Sequence, residues 1–158
     1  MTLTGYRAIE KEIDRLWSEE RPMVVAEVSA AAELGDRSEN AAYIYGKKRL
    51  RQIDGRIRYL RNKIDTAVPV DLAEMVDFPR VRFGALVTVE DEEGTEKRYR
   101  LVDKEESDPK RGRISIQSPV GRALEGKEVG DVVEVRVQER VVELEVIDLK
   151  YGADELES

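Results

Sequence analysis

The stretch Leu34-Gly35-Asp36-Arg37-Ser38-Glu39-Asn40 lies between two long segments whose apolar residues recur with helical spacing. Its glycine and short polar residues are typical of a turn. The sequence therefore predicts two antiparallel helices joined at residues 34–40. Asp36 and Glu39 would lie at the far end of this hairpin, where we expect no structural partner for either carboxylate. We interpret them as groups that the hairpin carries to another molecule.

The first helix is predicted to begin after Thr4, as the N-cap, and to run to about Ala32. Pro22 interrupts this run and removes one backbone donor, and it disfavours helix at Arg21, so we expect a kink or a local break there. The apolar stripe of this helix comprises Tyr6, Ile9, Ile13, Leu16, Val24, Val25 and Val28.

The second helix is predicted to begin near Ser38 and to end near Pro69. Its apolar residues repeat at three, four, three and four positions, which is typical of a coiled-coil seam: Leu50, Ile53, Ile57, Leu60 and Ile64. We therefore predict an antiparallel coiled-coil hairpin. A helix of about 28 residues spans roughly 42 Å, so the turn would lie far from any globular body.

From Val81 onward the apolar residues alternate with a period of two, which indicates strands. The expected strands are 85–89, 98–102, 114–116, 132–135 and 141–147, with a turn at Asp91-Glu92-Glu93-Gly94 and a short helix within 118–124. The predicted class is α+β, with a coiled-coil hairpin over 1–76 and an antiparallel β domain over 77–158. Residues 77–80 form the expected linker, and the last six residues an acidic tail.

Composition excludes several function classes. The chain has no cysteine and no histidine, so disulfides, thiolate metal sites and a histidine general base are impossible. No apolar run reaches membrane-spanning length, and the first residues do not form a secretory leader, so we expect a cytoplasmic protein without a membrane partner.

The net charge of −7 conceals a concentrated basic helix. Residues 40–64 hold eight basic side chains and one acid, Asp54, whereas residues 1–39 hold five basic and nine acidic ones. The basic side chains are Lys47, Lys48, Arg49, Arg51, Arg56, Arg58, Arg61 and Lys63. They form either the solvated face of a coiled coil or a surface for a polyanion; the near-absence of acids favours the second.

Two further motifs leave structural alternatives open. Asp36 and Glu39 have the spacing of a helix capping box, and two carboxylates alone cannot complete a Mg²⁺ site, which requires six oxygens. Ser118-Pro119 followed by Gly121-Arg122 is typical of a simple turn from a strand into a helix.

Three segments together resemble the bacterial transcript cleavage (Gre) factors: Trp17-Ser18-Glu19-Glu20-Arg21-Pro22, the turn from Leu34 to Ala41, and Lys47-Lys48-Arg49-Leu50-Arg51-Gln52-Ile53-Asp54. Residues 114–124 and 127–131 match that family's C-terminal domain, so the resemblance covers nearly the whole chain. The dense basic helix is similar to the GreB subgroup rather than to GreA.

The resemblance implies an FKBP-like C-terminal domain that docks at the rim of the RNA polymerase secondary channel, with Ser118 and Pro119 at the contact. It implies that the coiled coil enters the channel and that Asp36 and Glu39 help the polymerase to hold Mg²⁺ and activate a water. Backtracked nascent RNA would then be cleaved by the polymerase. The factor would not be an enzyme by itself, and it would bind no Mg²⁺ alone. Seven basic residues would guide the RNA 3′ segment: Lys47, Lys48, Arg49, Arg51, Arg56, Arg58 and Arg61.

Two other function classes remain open at this point. One is a regulator that occupies the same channel without promoting cleavage, and the other is a coiled-coil scaffold with no role in chemistry. A prolyl isomerase is disfavoured, because fold alone carries no activity and the domain has only two phenylalanines, Phe78 and Phe83, and no tryptophan to line such a pocket. The sequence gives no reason to expect a stable oligomer, so we expect a monomer.

Overall fold

The computed structural model describes residues 1–35 and 40–153. The chain forms two compact units, one of residues Tyr6–Val68 and the other of Met1–Gly5 together with Pro69–Ser158. The division thus falls at Pro69, eight residues before the predicted boundary at 77. Residues 1–5 join the second unit through two backbone hydrogen bonds. The Leu3 N–H donates to the Val70 carbonyl at 2.7 Å, and the Val70 N–H donates to the Met1 carbonyl at 3.0 Å.

The helical unit is built from α1 (Leu3–Arg15), a π-helical turn (Leu16–Glu20), α2 (Arg21–Ala32) and α3 (Ala41–Thr66). The predicted end at Ala32 is confirmed. The predicted cap at Thr4 is wrong, because Thr4 lies inside the helix and the Thr2 hydroxyl accepts the Gly5 N–H at 3.0 Å.

The π-helical turn is the local break that Pro22 led us to expect. Contrary to expectation, Arg21 stays helical (φ −60°, ψ −48°), and its N–H donates to the Leu16 carbonyl five residues earlier. Pro22 follows as the second residue of α2, where the wider spacing of the preceding π-helical turn accommodates its ring and its missing N–H.

The hairpin core is a seam of buried residues contributed by both arms: Ile9, Leu16, Val24 and Ala31, with Gly46, Ile53, Ile57 and Leu60. Val25 was predicted on this stripe but is exposed, since the extra residue of the π-helical turn shifts the phase of the helix that follows. Gly46 permits close packing, because a Cβ there would lie 2.6 Å from Val28 Cγ2.

The second unit is a five-stranded sheet with strand order β3-β2-β1-β5-β4. Its strands are β1 (Leu86–Asp91), β2 (Glu96–Val102), β3 (Arg113–Ser115), β4 (Val132–Val137) and β5 (Arg140–Lys150), with helix α4 (Pro119–Leu124) after β3. All five strands and the short helix were predicted, and so was the turn at 91–94. The α+β class is confirmed, although β3 pairs with β2 in parallel rather than antiparallel.

The expected linker 77–80 is docked onto the second unit. The Asp77 carboxylate accepts the Tyr151 N–H at 3.2 Å, and the Tyr151 hydroxyl donates to the Arg80 carbonyl. Burial raises the pKa of that hydroxyl above its ordinary value. Nearby, the buried guanidinium of Arg100 donates to the carbonyls of Gly84 and Gly152 at 2.6 and 2.9 Å.

Candidate functional site

The predicted tip carboxylates, Asp36 and Glu39, lie outside the described residues. Their place in the chain is fixed by their neighbours, because α2 ends at Ala32 and α3 begins at Ala41. Both acids therefore belong to the segment that joins the two arms of the hairpin. Gly35, the last described residue before them, has φ +118°, a conformation that favours glycine.

Asn40 closes the hairpin, a role that the sequence analysis missed. Its side-chain oxygen accepts the Tyr43 N–H at 3.1 Å and so caps α3, while its amide nitrogen donates to the Ala31 carbonyl at 2.7 Å. The predicted helix start near Ser38 is therefore wrong, and the N-cap of α3 is Asn40 rather than Asp36. Asparagine is a preferred N-cap residue, so this signal was present in the sequence.

Three of the seven basic residues predicted to bind RNA are engaged within the hairpin. Arg49 forms an ion pair with Glu20, and Arg56 donates to the two carboxylate oxygens of Glu12 at 3.4 and 3.1 Å. The guanidinium carbon of Arg61 lies 5.6 Å from the centre of the Trp17 ring. These side chains hold the helices together through contacts that spacing within one helix could not reveal.

The other four, Lys47, Lys48, Arg51 and Arg58, are exposed, and none forms an ion pair with an acid of the described residues. At about 100° per residue, Lys47, Arg51 and Arg58 fall within roughly 40° of one another and face away from the buried seam. We call these four residues the basic stripe. Like charges that are not paired with acids attract a polyanion.

The π-helical turn brings a charged residue to the seam. Glu20, whose side chain is 16% exposed, follows Leu16 along the buried side and pairs with Arg49 and with Arg15 at 3.0 Å. Across the helices, Arg21 donates to the Asp54 carboxylate at 2.8 Å, and this hydrogen bond raises the pKa of Arg21. Asp54, the one acid within residues 40–64, is thus used to hold α2 against α3.

Ser118 and Pro119 form the start of α4. The Ser118 hydroxyl accepts the Gly121 N–H at 3.1 Å and donates to the Ser115 carbonyl at 2.6 Å, and Pro119 occupies the first turn. The structural alternative, a strand-to-helix turn, is therefore correct for these residues. Pro119 is nevertheless exposed at the surface, and Ser118 is half-buried.

Glu106 anchors the first residues of the chain to the second unit. Its carboxylate accepts both the backbone N–H of Thr2, at 2.8 Å, and the Thr2 hydroxyl. Burial raises the pKa of this carboxyl, and the bonds from Thr2 offset only part of that effect.

Within residues 1–35 and 40–153, no three acidic side chains cluster closely enough to hold a metal ion. In the same residues, no helix is both long and apolar enough to cross a membrane.

Two family models match the chain in succession. "Transcription elongation factor, N-terminal" matches residues 1–68, and "Transcription elongation factor, GreA/GreB, C-term" matches residues 76–151.

The chain belongs to the GreA/GreB family of transcription elongation factors.

Relatives of both names are similar over nearly the whole chain. The transcription elongation factor GreB of Pasteurella multocida is 46% identical over 151 residues, covering 96% of this chain and 95% of the relative. GreA of Maricaulis maris is 42% identical over 153 residues, covering 96% and 97%. The resemblance to this family and to GreB is thus confirmed.

Among solved structures, the GreA factor homolog 1 (Gfh1) of Thermus thermophilus aligns over 94% of this chain and 96% of its own. The identity is 23% and the TM-score 0.43, too low for an argument about detail.

Proposed function

We propose that this elongation factor inserts its helical hairpin into the secondary channel of bacterial RNA polymerase and stimulates Mg²⁺-dependent cleavage of backtracked nascent RNA. The observation that carries the proposal is the placement of Asp36 and Glu39 in the segment that joins α2 to α3, within a chain of the GreA/GreB family. Arrested complexes would resume synthesis from the new RNA 3′ end.

The donor chemistry of the joining segment fits a magnesium ion that is shared with the polymerase. Carboxylates are ligands that Mg²⁺ prefers, but two of them fall short of six oxygens, so the polymerase and the RNA phosphate would supply the rest. When bound, the ion would stabilise the attacking and leaving oxygens of an in-line displacement. Asp36 and Glu39 would bind the ion and orient the attacking water.

The construction of the hairpin supports a role as a rigid carrier of these acids. Ion pairs from Arg49, Arg56 and Arg21 cross between the helices, and Asn40 joins the end of α2 to the start of α3. A carrier held at fixed points delivers its carboxylates with less loss of conformational freedom on binding.

The basic stripe is proposed to guide the RNA 3′ segment. Its four cations are exposed and form no ion pair with an acid of the described residues, unlike Arg49 and Arg56. In the second unit, Ser118 and Pro119 are proposed to contact the rim of the channel, where α4 displays the exposed ring of Pro119. The factor itself would catalyse nothing, since it lends two side chains to the active centre of the polymerase.

The decisive experiment is a cleavage assay on an assembled, backtracked RNA polymerase complex with 3′-labelled RNA and Mg²⁺. The wild-type factor should accelerate release of the 3′-terminal fragment, and Asp36→Asn and Glu39→Gln should abolish that acceleration while retaining polymerase binding. Glu33→Gln is the matched control, because this exposed acid is the C-cap residue of α2 and lies three residues before Asp36. Unchanged cleavage in the presence of bound wild-type factor would refute the proposal and leave a channel-occupying regulator. Absence of binding would leave a scaffold.

The role of the basic stripe needs a separate comparison between long and short extruded RNA. Changing Lys47, Arg51 and Arg58 together to Gln should slow cleavage of long extruded segments more than that of short ones. The control changes Lys104, Lys110 and Arg111, exposed cations of the second unit, to Gln. Equal slowing for both RNA lengths would contradict guidance by the stripe.

A further inference from the structure

Trp17 is the single tryptophan of the chain, yet 52% of its surface is exposed. It lies in the π-helical turn, between Leu16, which is buried in the seam, and Ser18, which is exposed. Trp17 follows the buried Leu16 by one residue, which is about 100° around the helix, so a large apolar ring remains at the surface of the hairpin. The hydrophobic core therefore does not account for its position.

Two guanidinium groups from different helices converge on this ring. The guanidinium carbon of Arg21 lies 5.3 Å from the ring centre, and that of Arg61, on α3, lies 5.6 Å from it. Arg21 is held in place by its bond to Asp54. The site thus combines an aromatic surface with two cations and one carboxylate, so positive charge is in excess beside the ring.

This arrangement continues the basic stripe toward the base of the hairpin. Arg61 follows Arg58 by three residues, so the two side chains are neighbours on the helix surface. From Lys47 to Arg61 the helix rises about 21 Å. A chain that contacts the stripe with its phosphates would therefore reach Trp17 at the end of the stripe away from residues 34–40.

We propose that Trp17, flanked by Arg21 and Arg61, is a stacking site for a base of single-stranded nucleic acid. This inference rests on the proposed function. It adds a site that distinguishes a single strand from a duplex to the phosphate contacts of the stripe. An exposed indole can stack on an unpaired base of any identity, and the two guanidinium groups supply charge for the adjoining phosphates. A base inside a duplex is already stacked and offers no free face.

The test uses the intact protein and its intrinsic fluorescence, since all tryptophan emission comes from Trp17. Titration at low salt with an oligouridine RNA should quench this emission in a saturable manner. A double-stranded RNA of the same length should leave the emission nearly unchanged.

Binding of the fluorescently labelled oligouridine, followed by anisotropy, then tests the side chains. Removing a stacking ring weakens single-strand binding between about 5-fold and about 140-fold, which is the expected range for Trp17→Ala. Trp17→Phe keeps an aromatic ring and should lose less. Arg61→Gln should weaken binding more than Arg7→Gln, the control, because Arg7 is an exposed cation about 15 Å along the helices from Trp17. Circular dichroism verifies that each variant is folded.

Three outcomes would overturn the inference. RNA binding without a change in emission would place the strand elsewhere, and equal quenching by single- and double-stranded RNA would indicate a contact through charge alone. Equal affinity of the folded Trp17→Ala variant and the wild type would exclude stacking. Each of these results is independent of the cleavage assay, so a failure here leaves the proposed function to be judged by Asp36→Asn.

Discussion

Asn40 provides the sharpest test of how the hairpin is closed. Replacing it by alanine removes two hydrogen bonds, the cap on the Tyr43 N–H and the bond to the Ala31 carbonyl. Loss of an N-cap costs about 1 kcal/mol, and loss of a typical intramolecular hydrogen bond also costs about 1 kcal/mol. We therefore expect Asn40→Ala to lower the free energy of unfolding of the helical hairpin by about 2 kcal/mol.

A second variant separates the two contributions. Asn40→Asp keeps an oxygen for the Tyr43 N–H, and its charge is favourable at a helix N-terminus, but it cannot donate to Ala31. It should therefore lose about 1 kcal/mol or less. Urea unfolding followed by the helical circular dichroism signal measures both variants against the wild type.

Two results would refute this account of Asn40. A loss below about 0.5 kcal/mol for Asn40→Ala would mean that neither bond contributes as the geometry implies. Equal losses for Asn40→Ala and Asn40→Asp would mean that the cap on α3 contributes nothing. Because Asn40 directly follows Glu39, we also expect Asn40→Ala to reduce stimulated cleavage, with a smaller reduction for Asn40→Asp.

Further predictions concern packing and pH. Gly46→Ala should destabilise the hairpin by about 1 kcal/mol in urea unfolding, because overpacking against Val28 outweighs the better helix propensity of alanine. Gly55→Ala, with open space around the new methyl group, should instead stabilise the same helix by up to about 1 kcal/mol, and a loss there would contradict the packing argument. For Glu106, whose pKa is raised above its ordinary 4.5 by burial, the folded state holds its proton more tightly than the unfolded state. Its contribution to stability should therefore fall as pH rises from 4.5 through the raised pKa, and thermal unfolding from pH 4 to 7 should show that Glu106→Gln lacks this decline.

Much of the fold followed from the sequence because the signals are local. Alternating apolar residues predicted every strand of the sheet. The turn at 91–94 is stabilised by its own residues, because Asp91 accepts two backbone N–H groups and Gly94 has φ +81°. Helical spacing likewise predicted the buried seam of α3 around Ile53, Ile57 and Leu60. The spacing of apolar residues along one segment shows which side of a helix or strand faces the core, so these features can be predicted without knowledge of the tertiary structure.

The wrong predictions concern contacts between separate segments, or helix starts at which more than one residue could serve as the N-cap. Thr2 and Asn40 cap their helices instead of Thr4 and a residue near Ser38, since each capping side chain also gains a partner distant in sequence: Glu106 for Thr2 and Ala31 for Asn40. The parallel pairing of β3 with β2 is also invisible in a three-residue strand, because periodicity carries no information on strand direction.

The sequence by itself determined the two-part architecture, the chemistry of the joining segment and the excess of positive charge on α3. These depend on residue type and on spacing within one element. Only the tertiary structure decided which cations are left for a ligand, because Glu12 and Glu20 pair with Arg56 and Arg49 from across the hairpin, whereas Arg61 lies beside the Trp17 ring without an acid of the described residues as its partner. It also brought Arg21 and Arg61, from two different helices, to the exposed ring of Trp17. The charge of a side chain follows from the sequence, whereas the availability of that charge to a ligand depends on the neighbours that folding brings to the side chain.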